Sequence, residues 1–270
     1  MVTDISGVGR CSALVVLPVL ALSGCSTGFL PTAYFSTHTG GFVPVHRLDM
    51  TADMAQALAH WQRLGLQFDA AYLSYVASPQ QLALMEEALP GLLRPGGTLY
   101  IDPVMGDHGR RYTFCGEDLI QAFRRLCARA DVIFPNRTEA ALLLGQPLTP
   151  GEEPPGPGAN ELLSLGAKQV VLTGLTAGED RLGIMAAGEG QAPYTTFRKR
   201  YPGSYPGTGD LLAASIIAAL QKGWALPAAC ETACDFLDNA LYHTARYGGE
   251  PRFGLAFEAA LPGLAAALNP

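Results

Sequence analysis

The chain has 270 residues, 49% of them hydrophobic and only 16% charged, enough apolar surface for a large core and too little charge for extensive disorder. Its formal net charge of −6 excludes the basic face that nucleic acid requires, and the one basic cluster, Arg198-Lys199-Arg200, reads as a solvated strand end or a local phosphate contact. The six cysteines form no CxxC pair, Cys230 and Cys234 share one helix face as buried apolar residues do, and this usage fits a reducing, cytoplasmic compartment.

The first predicted helix covers residues 12–23. Its apolar run, followed by Ser23-Gly24-Cys25, imitates a lipoprotein leader, but Asp4 and the single Arg10 make a poor basic start. An apolar run of about 10–14 residues suits a core helix. Strand candidates follow at 29–36, 70–75, 97–101, 131–134, 169–173, 182–187 and 193–198. Between and after them lie helix candidates at 51–64, 79–93, 117–130, 138–145, 159–166, 209–222, 226–246 and 255–267. This alternation predicts an α/β fold in one domain over 1–270, a largely parallel central sheet with helices on both faces in three α/β/α layers. Strands 182–187 and 193–198, with Gly188 and Gly190 between them, predict an antiparallel hairpin. The stretch 147–158, with five prolines and three glycines, is a surface loop, and no segment reads as a membrane span.

The strand endings carry more information than the strands, because open parallel sheets bind ligands outside the carboxyl ends of their strands. Successive strands are followed by Thr37-His38-Thr39-Gly40-Gly41, by Tyr75, by Asp102 with Asp107, by Asn136 with Glu139, and by Thr173-Gly174. Polar residues and glycines thus gather at one end of five strands, which suggests a composed site. Each has a plainer reading. Asn136 and Glu139, three apart at a helix start, also fit a capping box. Asp102-Pro103 is a turn starter, Tyr75 fits a core aromatic, and His38 fits a structural histidine.

The most informative segment is Tyr205-Pro206-Gly207-Thr208-Gly209-Asp210, which runs directly into the apolar helix 211–220. A glycine turn opening such a helix gathers backbone N–H groups where the helix dipole also favours negative charge. Asp210 then stands as a fixed carboxylate beside an anion site. Phosphoryl transfer needs both parts, donors for the migrating phosphate and a base for the attacking hydroxyl. An ordinary capped helix, with Thr208 or Asp210 as N-cap, is the alternative.

On these residues the chain resembles the pyridoxal/pyridoxamine (vitamin B6) kinases of the ribokinase-like superfamily. The matching blocks are Asp4-Ile5-Ser6-Gly7-Val8-Gly9-Arg10-Cys11-Ser12, Ser36-Thr37-His38-Thr39-Gly40-Gly41-Phe42, Asp102-Pro103-Val104-Met105-Gly106-Asp107, Pro135-Asn136-Arg137-Thr138-Glu139-Ala140 and Gly207-Thr208-Gly209-Asp210. They span residues 4 to 210 in the family's order, and the second and third are the ones more specific to the B6 branch. The resemblance implies a ribokinase-like fold and ATP-dependent phosphorylation of the 5′-hydroxymethyl group of pyridoxal, pyridoxamine or pyridoxine. It makes Asp210 the base and Gly207, Thr208 and Gly209 the anion hole. Asp102, Asp107, Asn136, Glu139 and Thr173 would surround the ATP phosphates and Mg²⁺, with Asp102 and Glu139 holding the metal, Glu139 through water. Ser6, His38, Thr39 and Tyr75 would line the pyridine pocket. The resemblance favours a homodimer as well, while the charge and the lack of a spanning segment lead us to expect neither a nucleic-acid nor a membrane partner.

Three departures from the family pattern bear on this. Only Met1-Val2-Thr3 precede the Asp-x-Ser segment, so a central strand is expected to be truncated or to start upstream. Ser74 stands where the family commonly has glycine, which narrows the pocket, and Phe134 stands where threonine is frequent. The rival readings are a hydroxymethylpyrimidine kinase of the same fold and a non-catalytic B6-binding protein.

Overall fold

The structure, a computed structural model, describes residues 1–247 and 250–269. The chain runs β1 (Val2–Ser6), α1 (Ala13–Leu22), β2 (Leu30–Phe35), β3 (Arg47–Asp49), α2 (Thr51–Arg63), β4 (Phe68–Leu73), α3 (Pro79–Leu92) and β5 (Leu93–Ile101). A small hairpin of β6 (Gly106–Asp107) and β7 (Arg110–Arg111) precedes α4 (Glu117–Cys127), β8 (Val132–Ile133), α5 (Arg137–Leu144) and α6 (Ala159–Leu163). Then come β9 (Gln169–Thr176), β10 (Arg181–Gly188), β11 (Tyr194–Lys199), α7 (Thr208–Gln221), α8 (Leu226–Tyr247) and α9 (Leu261–Leu268).

Nine strands form one sheet in the order β11-β10-β9-β8-β5-β4-β1-β2-β3. The six from β9 to β2 are parallel, whereas β10 runs antiparallel to both β9 and β11, and β3 antiparallel to β2. Period-2 alternation sorts their side chains into two layers. Leu73, Ile101, Ile133, Val170 and Leu172 pack under α2 to α6, while Tyr72, Tyr100, Val132 and Val171 pack under α1, α7 and α8. Each fully buried large aliphatic side chain contributes about 1.5–3 kcal/mol, so these two layers hold the fold. Phe134 belongs to the second layer, its ring 6.4 Å from that of Tyr100.

The central sheet and the β10–β11 hairpin match the sequence expectation, and α1 is a core helix with Val15, Val16 and Val19 buried. The central strand expected to be truncated or to start upstream is present as a short strand that pairs with β4 at Val2 and Leu73. Residues 2–6 form β1, which pairs with β2 on one side and β4 on the other. Its polar Thr3, Asp4 and Ser6 hide it from an apolar search, but both hydroxyls lie against the Asp4 carboxylate at 3.4 Å inside the fold. The helix expected at 255–267 begins only at Leu261, after 3₁₀ turns at Pro251–Phe253 and Phe257–Ala259. The strand expected from 97 starts at Leu93, directly after α3. β3 and the β6–β7 hairpin were too short and too exposed to leave a periodic signal.

Candidate active site

Between β1 and β4 the strand order reverses, because the chain builds outward through β2 and β3 and then crosses back to β4. Crevices at the carboxyl ends of such a switch point are where open sheets take ligands. The loop after β1, the loop after β2, Ser74-Tyr75 after β4, Asp102 after β5 and the start of α7 all open on this end.

Gly207 opens α7 with φ 81°, and a Cβ there would lie 2.1 Å from the Arg10 carbonyl oxygen, so only glycine fits. The Leu211 N–H is the first to pair inside the helix, with the Gly207 carbonyl at 2.9 Å. The N–H groups of Thr208, Gly209 and Asp210 therefore stand ahead of the helical ladder, free to meet an anion. Thr208 turns its hydroxyl back to the Tyr205 carbonyl at 2.6 Å. Asp210 lies in the first turn, half-buried, with Oδ2 accepting from the Ser12 N–H at 2.9 Å and from the Cys11 thiol at 3.5 Å. Burial pushes its carboxyl up to about 6, with the Asp4 charge adding to the rise and the Ser12 N–H opposing it. A carboxylate with that pKa is a base poised near neutrality.

On the other side of the crevice, Asp102 and Glu139 are buried acids. Burial, then the nearby Asp210 charge, pushes Asp102 up to about 8, and Tyr72 donates to its Oδ2 at 3.3 Å. Burial and the Asp102 charge push Glu139 well above the usual carboxyl range. Asn136 and Glu139 do form the capping box of α5, with Oδ1 of Asn136 accepting from the Glu139 N–H at 2.9 Å and Glu139 Oε2 accepting from the Asn136 N–H at 2.8 Å. The Glu139 Oε1 accepts from the Met105 N–H at 3.2 Å, so the cap also holds the 103–106 turn against the site. Asn136 donates to the Gly106 carbonyl at 2.9 Å, and its backbone bridges to Thr173 on β9. Asp107, in β6, is more exposed and binds the His108 N–H at 2.9 Å, but its charge reaches Glu139. The capping box, the Asn136–Thr173 bridge and the charges of Asp102 and Asp107 on Glu139 thus link the five residues expected on the nucleotide side in one neighbourhood, and the observed use of the Asn136–Glu139 pair is the cap of α5.

The residues expected at the pyridine pocket divide. Ser6 is fully buried, with its hydroxyl 3.4 Å from Asp4. Tyr75 packs edge-on against Phe35 and Phe114, with ring centroids 5.6 and 5.0 Å away, and burial raises its phenol to about 12. Thr39 is exposed on the loop after β2. His38 spends both ring nitrogens on the backbone. Its Nδ1 accepts from the Gly40 N–H at 3.1 Å, which leaves Nε2 as the donor to the Arg252 carbonyl at 2.5 Å. His38 therefore ties the loop after β2 to the 251–254 turn, which also receives the Arg10 N–H on the Phe253 carbonyl at 2.9 Å. Sequence reasoning missed that turn, and it missed Tyr72 and Cys11 as partners of the two aspartates. The alternation of Tyr72 and Ser74 on one strand face was the available signal for the first.

The sequence signature of the family described as phosphomethylpyrimidine kinase matches residues 23–252. The pyridoxal kinase of Ovis aries is 29% identical over 259 residues, covering 87% of this chain and 79% of that protein. Among solved structures, the pyridoxal kinase of Lactobacillus plantarum is 33% identical with a TM-score of 0.90, over 98% of this chain and 95% of that one. A Bacteroides thetaiotaomicron protein, provisionally called a phosphomethylpyrimidine kinase and crystallised with pyridoxal, is 31% identical with a TM-score of 0.89, over 97% and 94% of the two chains.

Proposed function

This chain belongs to the phosphomethylpyrimidine kinase family, and on that premise we propose that it phosphorylates the 5′-hydroxymethyl group of pyridoxal, pyridoxamine or pyridoxine with ATP. The observation that carries the reading is Asp210, a carboxylate pushed up to about 6 at the start of α7, beside the Thr208 and Gly209 N–H groups and its own, for which no backbone partner is found among the described residues. The substrate alcohol gives its proton to Asp210 as its oxygen attacks the γ-phosphorus, and the bond from that phosphorus to the β-phosphate oxygen breaks. Negative charge on the migrating group meets the Thr208, Gly209 and Asp210 N–H groups and the dipole of α7. Ser6, Thr39 and Tyr75 form the wall on the alcohol side, and His38 holds the loop that carries Thr39.

The donor set fits Mg²⁺. Asp102 and Glu139 are buried acids, and among the described residues neither takes part in an ion pair. A hard divalent cation suits such oxygens and keeps much of its water, so Glu139 would act through water while its own oxygens stay on the backbone. Bound there, the ion would neutralise phosphate charge. Asp107, Asn136 and Thr173 complete the nucleotide side.

A homodimer in a reducing cytoplasm is the setting we infer. All six cysteines are free, which agrees with that compartment, and no helix among the described residues is long and apolar enough to cross a membrane. Tyr34 and Leu48, exposed apolar side chains at the β2–β3 edge, are the surface a second copy would use.

The family description favours a second reading, hydroxymethylpyrimidine as the alcohol. Turnover with Mg-ATP and each alcohol in parallel separates the two. Pyridoxal 5′-phosphate formed at the higher kcat/KM supports the B6 reading; a preference for hydroxymethylpyrimidine reverses it, and no turnover of either removes the kinase assignment.

A further inference from the structure

Ser74 follows β4 directly, and its N–H donates to the Val2 carbonyl at 3.0 Å, so it sits where the central strands end. Alternation places it on the same sheet face as Tyr72, the face covered by α1 and α7. The adjacent strand brings Asp102 alongside, since Tyr72 pairs with Tyr100 and the Asp102 N–H donates to the Leu73 carbonyl at 2.8 Å. Ser74 is 1% exposed, yet among the described residues no partner stands in hydrogen-bond geometry to its hydroxyl. A buried hydroxyl without a partner is costly, and such a group in a folded protein asks for an explanation.

Burial raises both the Asp210 carboxyl and the Tyr72 phenol, and the Ser74 hydroxyl, on the same side of the sheet, opposes the rise in each. Tyr72 already donates to Asp102. Asp210 is faced by the acids Asp4 and Asp102 and by the Cys11 thiol, and among the described residues no cationic side chain pairs with it. Its Oδ2 is taken by the Ser12 N–H. A carboxylate accepts more strongly than a phenol, so the unspent Ser74 proton has its better partner in Asp210.

We propose that Ser74 is a positioning residue for Asp210, its hydroxyl donating to that carboxylate when the substrate alcohol is seated and so orienting the oxygen that takes the proton. The proposal rests on the reading of Asp210 as the base.

The test compares Ser74→Ala, Ser74→Cys and Asp210→Asn in the full chain, by kcat and KM with Mg-ATP and pyridoxal and by thermal melting. Ser74→Ala should lower kcat roughly tenfold or more, the worth of one hydrogen bond to a charged group, with both KM values nearly unchanged. Its melting temperature should stay level or rise, because the unpartnered hydroxyl is gone. Ser74→Cys, a weaker donor of similar shape, should fall between. Wild-type kcat in Ser74→Ala overturns the proposal. So does a fall in kcat matched by a loss of stability, or failure to fold, since either makes the hydroxyl structural. If Asp210→Asn keeps its turnover, the base reading itself falls, whereas an inactive Asp210→Asn beside an unimpaired Ser74→Ala removes the Ser74 role alone.

Discussion

The Ser12 N–H donates to Asp210 Oδ2 at 2.9 Å, joining residues 198 apart in the chain at one point of the crevice. Ser12 adopts φ 52° there, a left-handed conformation that serine enters only at a cost. The loop after β1 is thus shaped around the carboxylate. A backbone donor fixes the position of Asp210 without bringing a positive charge that would depress its pKa, so the side chain stays basic enough to accept a proton.

The two glycines beside Asp210 should respond in opposite ways to alanine. Gly207→Ala forces a non-glycine residue to φ 81° and sets a Cβ 2.1 Å from the Arg10 carbonyl oxygen. The backbone strain alone costs about 1–3 kcal/mol, so melting temperature and activity should fall together. A Cβ at Gly209 meets nothing within 4 Å. Gly209→Ala should raise stability by up to about 1 kcal/mol through helix propensity. It should nonetheless slow turnover, because the methyl group stands where the phosphate arrives. Unchanged turnover in Gly209→Ala would take that residue out of the anion hole.

Much of this end of the sheet was legible because its residues sit at strand ends, where periodic apolar runs stop and polar residues begin. Asp102 and Glu139 were found that way, and Asp210 from the glycine turn that opens the apolar helix α7. β1 was not, since three of its five residues are polar and satisfied only by the fold around them. His38 shows the other limit. Its spacing in the loop after β2 marks it as notable, but its partner, the Arg252 carbonyl, lies 214 residues away and cannot be read from any local pattern.

Variants on the two walls should separate the two substrates. Thr39→Val and Tyr75→Ala should raise KM for the alcohol more than KM for ATP, by about 5- to 150-fold where a buried hydrogen bond is lost. Asp102→Ala should bias the other way. His38→Phe belongs with neither wall: by freeing the loop from the 251–254 turn it should lower stability as well as raise KM for the alcohol. Equal shifts in both constants across Thr39, Tyr75 and Asp102 variants would show that the walls are not divided in this way.

The buried acids set the pH dependence of stability. Asp4, Asp102, Glu139 and Asp210 all have folded pKa values above their ordinary ones, with burial the largest cause in each. Between the ordinary carboxyl value and the folded one, the native state holds more protons than the unfolded chain, so stability falls as pH rises through that window. The window runs from 3.8 to about 6 for Asp210 and from 3.8 to about 8 for Asp102. Metal-free protein should therefore melt higher at a pH near 5 than near 8, and Mg²⁺ should restore stability mainly at the alkaline end. Asp102→Asn should flatten the profile and weaken the Mg²⁺ effect. A melting temperature that climbs from pH 5 to 8 without metal would contradict the assignment.

Asp210→Asn gives the sharpest division between a base and a carboxylate that only ties the loop after β1 to α7. Asparagine keeps the shape of the side chain and still accepts from the Ser12 N–H, and α7, whose N-cap is Gly207, takes no cap from this side chain. It cannot take a proton. Loss of a general base costs roughly 10²–10⁴-fold in rate, whereas a side chain that only holds the Ser12 N–H can be exchanged for asparagine with stability almost level. The variant should thus be folded, bind ATP and alcohol, and turn over at less than about a hundredth of the wild-type rate. Because the carboxyl is pushed up to about 6, the wild-type rate should rise with pH through that value and then level, as the base form fills. In Asp210→Asn that acid limb should vanish from whatever activity remains. A variant that keeps both its turnover and its acid limb would leave Asp210 a structural partner of Ser12 and move the search for the base elsewhere in the crevice.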